Sequence, residues 1–259
     1  MLQKFHKYHG TGNDFVMIDF YDEPEYALSG ELISKICHRR FGVGADGLII
    51  IRKSDNYDFA MQYFNSDGNE GTMCGNGGRC AVKFAEDCGI ISKRTAFSAI
   101  DGIHEAHLKN GLVNLKMQDI HKISETPYGL FMDTGSPHVI VHCDDLHSLD
   151  AFTRGQTIRN APEFAPNGVN VNFFAVQNNR VLLKTFERGV ENITWSCGTG
   201  SVATAIAAYK MGLVKHSKDI IVESQGGTLT VEFEYTSKIR NVWLKGPAIK
   251  VFEGKTFKG

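Results

Sequence analysis

The stretch Met73-Cys74-Gly75-Asn76-Gly77-Gly78-Arg79 places a cysteine directly before a glycine-rich turn, and the chain uses this pattern twice. The second copy is Ser196-Cys197-Gly198-Thr199-Gly200-Ser201. An alanine-rich segment follows each cysteine and leads to a glycine at the same distance, Gly89 or Gly212. Since helices commonly end at a glycine, the spacing predicts two helices of about four turns. Each cysteine would then lie at a helix N-terminus, among unpaired backbone N–H groups that favour a thiolate or a bound anion.

The two cysteine motifs belong to a longer internal repeat. One offset of 123 residues relates four pairs, which are Thr11 and Thr134, Cys74 and Cys197, Gly77 and Gly200, and Gly89 and Gly212. Chance among 27 glycines does not also align two of only six cysteines. The offset therefore predicts a duplication in which half of the chain is the repeating unit.

Each half combines predicted strands with one central helix. Strands are predicted at residues 4–8, 15–20, 48–51, 57–64, 170–174 and 180–186, and further helices at 29–40 and 149–158. Residues 131–141 are predicted to pass through a turn at Thr134-Gly135. The central helix of each half consists almost wholly of Ala, Val, Ile and Gly, so it should be buried on all sides with a sheet around it. We predict an α/β fold of the α+β type, with two pseudo-symmetric domains whose cysteine-bearing helix ends meet at a cleft.

Composition and charge exclude several classes of protein. The hydrophobic fraction of 42% and the charged fraction of 22% are typical of a globular protein. A net charge of −1 without a basic block argues against a nucleic-acid partner. The apolar run Leu48-Ile49-Ile50-Ile51 is too short to cross a membrane. The segment from Met1 to Lys7 lacks the apolar run of a signal peptide, so we expect a cytoplasmic protein.

The six cysteines do not form a familiar structural pattern. No Cys-x-x-Cys pair occurs, which argues against a structural metal site, and a chain of 259 residues does not need a disulfide framework. We expect Cys37, Cys80 and Cys88 to be structural, as small buried hydrophobic residues. Only Cys74 and Cys197 have surroundings that indicate chemistry.

Two matched thiols suit a reaction that removes a proton from one face of a carbon and returns one on the other. Forward and reverse directions exchange the roles of acid and base, so two groups of one type with similar pKa values fit. A thiol titrates at about pH 8.5 and lower at a helix N-terminus, which makes a thiolate and thiol pair reasonable near neutrality. The helix N–H groups could bind an α-carboxylate. Glu187 and Arg188 precede Cys197 and could hold an ammonium group and a second carboxylate.

Several long motifs resemble the diaminopimelate epimerase family, in the family's order and over nearly the whole chain. They are His9–Phe15 (HGTGNDF), Phe64–Gly68 (FNSDG), Cys74–Cys80 (CGNGGRC), Glu187–Gly189 (ERG) and Cys197–Gly200 (CGTG). The resemblance implies an epimerase that needs no cofactor and converts LL-2,6-diaminopimelate to the meso form, for lysine and peptidoglycan synthesis. It also implies a homodimer, and a C-terminus that returns to the first domain. We therefore predict domains at 1–119 plus 249–259 and at 120–248.

The resemblance assigns roles to residues that match the family's motifs. Cys74 and Cys197 become the acid and base, and His138 and Glu187 tune the thiols. The substrate contacts are Asn13, Asn65, Gly75, Asn76, Asn170, Glu187, Arg188, Gly198 and Thr199, with no metal ligand. The chain departs from the family at Ser136, where many members have Asn, and at Gly47, where some have Gln. These departures put one or two side-chain contacts in doubt.

Other functions remain open alternatives. Proline racemases also pair cysteines, but their first motif has His where this chain has Asn76, and a phenazine-type isomerase of this fold would lack the pair. Two glycine-rich helix starts could bind a nucleotide, although the phosphate-loop pattern is absent. A thiol redox protein is a further alternative. Activity without a reductant would argue against a redox protein, and binding of ATP or NAD would favour the nucleotide module.

Overall fold

The computed structural model describes residues 4–23, 26–215 and 218–255. Four α-helices lie within those ranges, α1 (Gly30–Cys37), α2 (Gly75–Asp87), α3 (Ala151–Arg159) and α4 (Gly198–Lys210), with a short 3₁₀ helix at Pro162–Phe164. The same ranges contain eighteen strands: β1 (Lys4–Gly10), β2 (Asn13–Phe20), β3 (Gly47–Arg52), β4 (Phe59–Asn65), β5 (Glu70–Gly71), β6 (Arg94–Ala99), β7 (Gly102–Lys109), β8 (Leu112–Lys116), β9 (Ile123–Thr126), β10 (Gly129–Asp133), β11 (Pro137–His142), β12 (Asn170–Gln177), β13 (Arg180–Glu187), β14 (Asn192–Thr194), β15 (Ile220–Ser224), β16 (Gly227–Tyr235), β17 (Ile239–Gly246) and β18 (Ile249–Lys255). Two predictions concern residues that lie partly outside these ranges. They are the absence of a signal peptide and the ends of the first domain at residues 1 and 259.

The chain divides into two compact units. The N-terminal unit comprises Met1–Leu115 and Gly246–Gly259, and the C-terminal unit comprises Lys116–Lys245. The sequence predicts domain boundaries after residues 119 and 248, whereas the compact units change after Leu115 and Lys245.

The N-terminal unit is a mixed sheet around α2. Strand pairing runs in the order β18, β1, β2, β3, β4, β6, β7, β8, with β5 added to β4. The pairs β2/β3 and β4/β6 are parallel, and the other pairs are antiparallel. Helix α2 packs against β1, β2, β3 and β18, whereas α1 packs on β3. The predicted sheet around a central helix is therefore confirmed in this unit.

The C-terminal unit repeats this plan. Its strands pair in the order β9, β10, β11, β12, β13, β15, β16, β17, with β14 added to β13 and with β11/β12 and β13/β15 parallel. Helix α4 packs against β10 to β13 and against β15 and β16. Both central helices have 13 residues, and their bounds differ by the predicted offset. The internal repeat and the pseudo-symmetric α+β fold are confirmed.

Both central helices end where the glycines predict. Gly89 and Gly212 have φ angles of +76° and +71°, a left-handed conformation that side chains with a Cβ rarely adopt. Helix α4 is buried from Gly200 to Ala208, as expected. The end of α2 is partly exposed instead, and Lys83 on its exposed face forms ion pairs with Glu86 and Asp87.

Three local predictions are wrong in detail. Helix α1 ends at Cys37 rather than at residue 40, because His38 adopts an extended backbone and a turn follows. The strand predicted from Tyr57 begins at Phe59. Cys88 is exposed rather than buried, since it is the C-cap residue that follows the last, partly exposed turn of α2. No helix in the described ranges is both long enough and apolar enough to cross a membrane.

Candidate active site

Cys74 occupies the N-cap of α2, as the sequence predicts. Its backbone is extended, with φ −99° and ψ 148°, and its Sγ accepts a hydrogen bond from the backbone N–H of Gly77 at 3.2 Å. A Cβ on Gly77 would lie 3.2 Å from that sulfur, so a glycine keeps the N–H accessible to the thiol. The half-buried Cys74 therefore lies in the field of a helix N-terminus, which favours its thiolate form.

A chain of side-chain hydrogen bonds runs beside Cys74. Asn76 is 3% exposed, and its Nδ2 donates to Oδ1 of Asn13 at 3.2 Å. Nδ2 of Asn13 in turn donates to Oδ2 of Asp46 at 2.7 Å. Two of the predicted substrate contacts, Asn13 and Asn76, are thus joined, and a carboxylate ends the chain.

Arg79 ends the same chain on the other side. This side chain is completely buried, and its NH2 group donates to Oδ1 of Asn76 at 3.0 Å. It also donates to a hydroxyl and a carbonyl, Oγ1 of Thr11 and O of Gly75, each at 3.1 Å. These acceptors carry no formal charge. Burial lowers the pKa of Arg79 to about 10, partly offset by the nearby thiols of Cys80 and Cys74, so the guanidinium remains protonated at neutral pH.

An ion-pair cluster holds Asp46 in place. One guanidinium nitrogen of Arg39 lies 2.6 Å from Asp46 and 2.7 Å from Asp14. The Lys7 ammonium, which is almost buried, lies 2.6 Å from Asp14 and also donates to the carbonyl of Gly44. Burial alone would raise the pKa of Asp14, but hydrogen bonds from Arg39 and Lys7 outweigh it and hold that pKa well below its usual range. The loop before β3 is therefore fixed to the turn that carries Asn13.

Tyr63 explains the departure at Gly47. A Cβ on Gly47 would lie 2.6 Å from the Tyr63 ring and 2.6 Å from a backbone carbonyl, so a larger residue does not fit. The Tyr63 hydroxyl donates to Oδ1 of Asn65 at 2.9 Å. Tyr63 thus occupies the space next to Gly47 and orients the amide of Asn65, a predicted substrate contact.

Cys197 stands directly before α4, at the position equivalent to Cys74. It is 7% exposed, and its carbonyl accepts hydrogen bonds from N and Oγ of Ser201 at 2.9 and 2.8 Å. Its Sγ lies 3.5 Å from Oγ1 of Thr199. Cys74 and Cys197 therefore occupy equivalent backbone positions before their helices, but their sulfur atoms contact different groups.

His138 is fully buried behind Thr199. Its Nδ1 accepts a hydrogen bond from Nδ2 of Asn172 at 2.8 Å, which leaves the ring hydrogen on Nε2. That Nε2 lies 3.0 Å from both Oγ1 of Thr199 and Oγ of Ser136. Burial and the charge of Arg188 lower the pKa of His138 to about 3, despite the hydrogen bond from Asn172, so the ring is neutral near pH 7.

The donors in this cluster point in one direction, towards the sulfur. Nδ2 of Asn170 donates to Oγ of Ser136 at 3.2 Å, and Ser136 and Thr199 are 3.1 Å apart. Because the Nε2–H of His138 and the amide of Asn170 are both donors, Oγ1 of Thr199 is the acceptor left for the Ser136 hydroxyl among these side chains. The single Nε2 hydrogen of His138 lies within reach of both hydroxyls. With Ser136 donating to Thr199, the sulfur of Cys197 is the remaining acceptor for the Thr199 hydroxyl. Ser136, at the position where many family members have Asn, thus places a polar group beside Thr199.

The remaining predicted residues lie around the same C-terminal cluster. Oδ1 of Asn170 accepts the backbone N–H of Arg188 at 2.8 Å, which fixes the orientation of this amide. The guanidinium of Arg188 makes a long contact of 3.5 Å to the carbonyl of Asn167. Glu187 accepts a hydrogen bond from the Thr194 hydroxyl at 3.0 Å.

The predicted residues fall into three groups. In the N-terminal unit, a hydrogen-bonded chain through Arg79 joins Gly75, Asn76 and Asn13, and Cys74 directly precedes Gly75. Asn65 stands apart beside Tyr63. In the C-terminal unit, Cys197, Gly198, Thr199, His138, Asn170 and Arg188 form a third group. Glu187 precedes Arg188 and accepts a hydrogen bond from Thr194.

The sequence reasoning missed Arg79, Asp46, Asn172 and Tyr63. A charged residue in the first half of a helix that is expected to be buried on all sides would have signalled Arg79. Asp46 and Asn172 have no local signal, because their partners Asn13 and His138 are distant in the chain. Tyr63 lies two residues before its partner Asn65 on the same strand, but its position beside Gly47 depends on the pairing of two strands. In the part of the chain that the structure describes, no group of three or more His, Cys, Asp or Glu residues could hold a metal ion.

Known structures share this fold. A phenazine biosynthesis protein of the PhzF family from Bacillus anthracis superposes with a TM-score of 0.78 at 16% identity, covering 100% of both chains. A hydroxyproline epimerase from Agrobacterium vitis superposes with a TM-score of 0.68 at 14% identity, covering 98% of this chain and 91% of that one. Identities this low concern the fold alone.

Sequence comparison is more specific. The diaminopimelate epimerase of Flavobacterium psychrophilum is 44% identical, over 96% of this chain and 98% of that protein. The diaminopimelate epimerase of Aquifex aeolicus is 39% identical, over 97% of each. The family model described as Diaminopimelate epimerase matches residues 5–123 and 130–251. With two matched cysteine-bearing helix starts and this match over nearly its whole length, the chain belongs to the diaminopimelate epimerase family.

Proposed function

We propose that this chain is an isomerase that epimerises LL-2,6-diaminopimelate to the meso form, with Cys74 and Cys197 as the acid and base. One observation carries the proposal. The chain is 44% identical over nearly its full length to a protein named as a diaminopimelate epimerase, and it retains a cysteine at the start of each central helix. The family's place in the synthesis of lysine and peptidoglycan precursors follows with the same proposal.

The chemistry requires one base and one acid on opposite faces of the α-carbon. The thiolate of one cysteine removes the α-proton and becomes a thiol, and the electron pair of the C–H bond remains on the α-carbon and its carboxylate. The thiol of the other cysteine delivers a proton to the opposite face and becomes a thiolate. Atoms and charge balance without an oxidant or reductant, and the reverse direction exchanges the two roles.

The helix N-termini stabilise the charge that develops in this reaction. The first turns of α2 and α4 each hold backbone N–H groups that have no acceptor within their own helix. Such preorganised donors stabilise a carboxylate whose charge grows in the transition state, each by about 3 kcal/mol. The turns Gly75–Asn76 and Gly198–Thr199 supply these donors in the proposed site.

The side chains around the thiols fit an amino-acid substrate with two polar ends. Asn13, Asn65 and Asn170 offer amide groups, whereas Glu187 offers a carboxylate for an ammonium group. Arg188, which is partly exposed, offers a guanidinium for the carboxylate of the centre that does not react. His138 tunes the pKa of the thiols, and Glu187 both tunes the thiols and contacts the substrate.

We also propose a homodimer and a cytoplasmic location, in line with the family. Strand β18, which pairs with β1, carries three exposed apolar side chains, with Ile249 48%, Val251 55% and Phe252 47% exposed. Exposed apolar edges of this kind favour pairing with a second chain. Sedimentation velocity at micromolar concentration tests the dimer, and a single monomer peak would contradict it.

Exchange of the α-hydrogen tests the function. The protein is incubated in D2O with LL-diaminopimelate, and proton NMR follows the α-position while chiral chromatography follows the stereoisomers. We expect deuterium at the α-carbon and formation of the meso isomer without added pyridoxal phosphate, metal or reductant. If neither isomerisation nor exchange exceeds the buffer control, the proposed function is wrong. Activity that requires a reductant in every turnover would instead indicate a thiol redox protein.

A further inference from the structure

The amides of Asn76 and Asn13 form the middle of a hydrogen-bonded chain. The group at one end of this chain can only donate hydrogen bonds, and the group at the other end can only accept them. A guanidinium has only donors, and Arg79 donates to Oδ1 of Asn76 at 3.0 Å. A carboxylate has only acceptors, and Asp46 accepts from Nδ2 of Asn13 at 2.7 Å. Between these ends, Nδ2 of Asn76 donates to Oδ1 of Asn13 at 3.2 Å.

We propose that Arg79 and Asp46 are positioning residues, which together orient the amides of Asn76 and Asn13 so that Asn13 presents an N–H donor to a carboxylate of the substrate. This inference rests on the proposed function for the identity of the substrate. The orientation itself follows from the hydrogen-bonding partners alone.

Reversing either amide would cost favourable contacts at both ends of the chain. A reversed Asn76 would place its Nδ2 against a guanidinium nitrogen of Arg79, so that two donors would meet at 3.0 Å. A reversed Asn13 would place its Oδ1 against the carboxylate of Asp46, so that two acceptors would meet at 2.7 Å. A buried donor or acceptor without a partner costs about 1–3 kcal/mol. The burial of Arg79 and the 3% exposure of Asn76 keep water from compensating at that end.

The orientation leaves Asn13 with a donor to offer. Its amide has two hydrogens on Nδ2, and Asp46 accepts one of them. Within the described ranges, the side chain of Asn13 donates no second hydrogen bond, and the residue is partly exposed. A carboxylate is the complementary ligand, because it accepts hydrogen bonds and cannot donate them.

This arrangement of two charged residues and two amides lies in the N-terminal half of the repeat. At the 123-residue offset, the positions of Arg79 and Asp46 correspond to Val202 and Val169, which are both completely buried. Asn76 corresponds to Thr199, whose hydroxyl belongs to the neutral cluster with His138. The N-terminal unit therefore contains a buried cation and two oriented amides, whereas the corresponding positions of the C-terminal unit hold two buried valines and the neutral hydroxyl of Thr199.

Two variants test the positioning role. Asp46→Asn has nearly the same shape, but its amide can donate to a reversed Asn13, so the orientation is no longer imposed. We expect kcat/KM for diaminopimelate to fall about tenfold or more, the effect of losing one charged hydrogen bond. The double variant Asn13→Asp with Asp46→Asn restores a fully bonded chain, since the new amide at position 46 and the amide of Asn76 can both donate to the new carboxylate. That double variant should regain the thermal stability lost in Asp46→Asn, but its kcat/KM should fall further, because a carboxylate then faces the substrate carboxylate.

A matched control removes a comparable ion pair outside the site. The ion pair between Glu223 and Arg180 has an exposure similar to that of the pair between Asp46 and Arg39. Glu223→Gln should therefore leave kcat/KM unchanged. Normal kcat/KM in Asp46→Asn, or recovery of kcat/KM in the double variant, would overturn the proposal.

A measurement without substrate separates this inference from the proposed function. In ¹⁵N-labelled protein, the side-chain amide signal of Asn13 is identified by its loss in Asn13→Asp. We expect one of its two protons to be shifted downfield in the wild-type protein and to return towards the position of a solvated amide in Asp46→Asn. If that shift is present but wild-type protein does not epimerise diaminopimelate, only the proposed function fails. If wild-type protein is active and Asp46→Asn leaves the amide signal unchanged, the positioning role fails.

Discussion

Replacing Thr199 by Val should change the pH at which Cys197 becomes reactive. The Thr199 hydroxyl lies 3.5 Å from Sγ of Cys197, which is its remaining acceptor because the Ser136 hydroxyl donates to Thr199. A hydrogen bond to a charged acceptor is worth about 1.5–3 kcal/mol, which corresponds to about one to two pH units. Without the hydroxyl the thiolate loses that donor, so a higher pH is needed to form it.

The assay is alkylation by iodoacetamide in the absence of substrate, with peptide mapping to separate the cysteines. We expect the pH of half-maximal alkylation of Cys197 to rise by about one to two units in Thr199→Val. Thr199→Ser retains a hydroxyl and should remain close to the wild-type protein. Cys74 provides an internal control, because the backbone N–H of Gly77 donates to its sulfur and is not changed by the substitution.

Two results would refute this reasoning about Thr199. One is an unchanged midpoint for Cys197 in Thr199→Val. The other is an equal shift in Thr199→Val and Thr199→Ser, which would mean that packing rather than the hydroxyl matters. The structural cost of the Val variant should be small, since His138 Nε2 still has Ser136 as an acceptor at 3.0 Å.

Three further predictions follow from the proposed site. Cys74→Ser and Cys197→Ser should each lower epimerisation by several orders of magnitude, because a hydroxyl is a much poorer base; a variant with near-normal turnover in both directions would exclude the two-base mechanism. Arg188→Lys should lower kcat/KM about tenfold, since an ammonium loses the paired donors of a guanidinium, and unchanged kinetics with a lower melting temperature would mean that Arg188 only packs the loop. His138 is neutral in the folded protein and protonates below pH 6.5 when unfolded, so its stabilising contribution is complete above that pH and is lost between 6.5 and about 3. Urea unfolding measures this effect. As the pH falls through that interval, the difference in free energy of unfolding between the wild-type protein and His138→Gln should decrease by about 1.4 kcal/mol per pH unit. A constant difference would contradict the low pKa.

The sequence alone determined where both central helices begin and end. Cys74 and Cys197 stand at the N-termini, and Gly89 and Gly212 follow the C-termini, because capping depends on backbone conformation within a few residues. The repeat was visible for a related reason. A duplicated fold needs the same turns at the same spacing, and spacing can be read without any knowledge of contacts.

Only the tertiary structure decided how the functional side chains are arranged. Asn13 meets Asn76 and Asp46 because neighbouring strands and a loop bring together residues that are far apart in the chain. The neutral state of His138 likewise depends on burial beneath several distant segments. The orientation of an amide or an imidazole depends on which donors and acceptors surround it in three dimensions. Local spacing therefore identified the two thiols, whereas long-range packing determined the groups that orient and tune them.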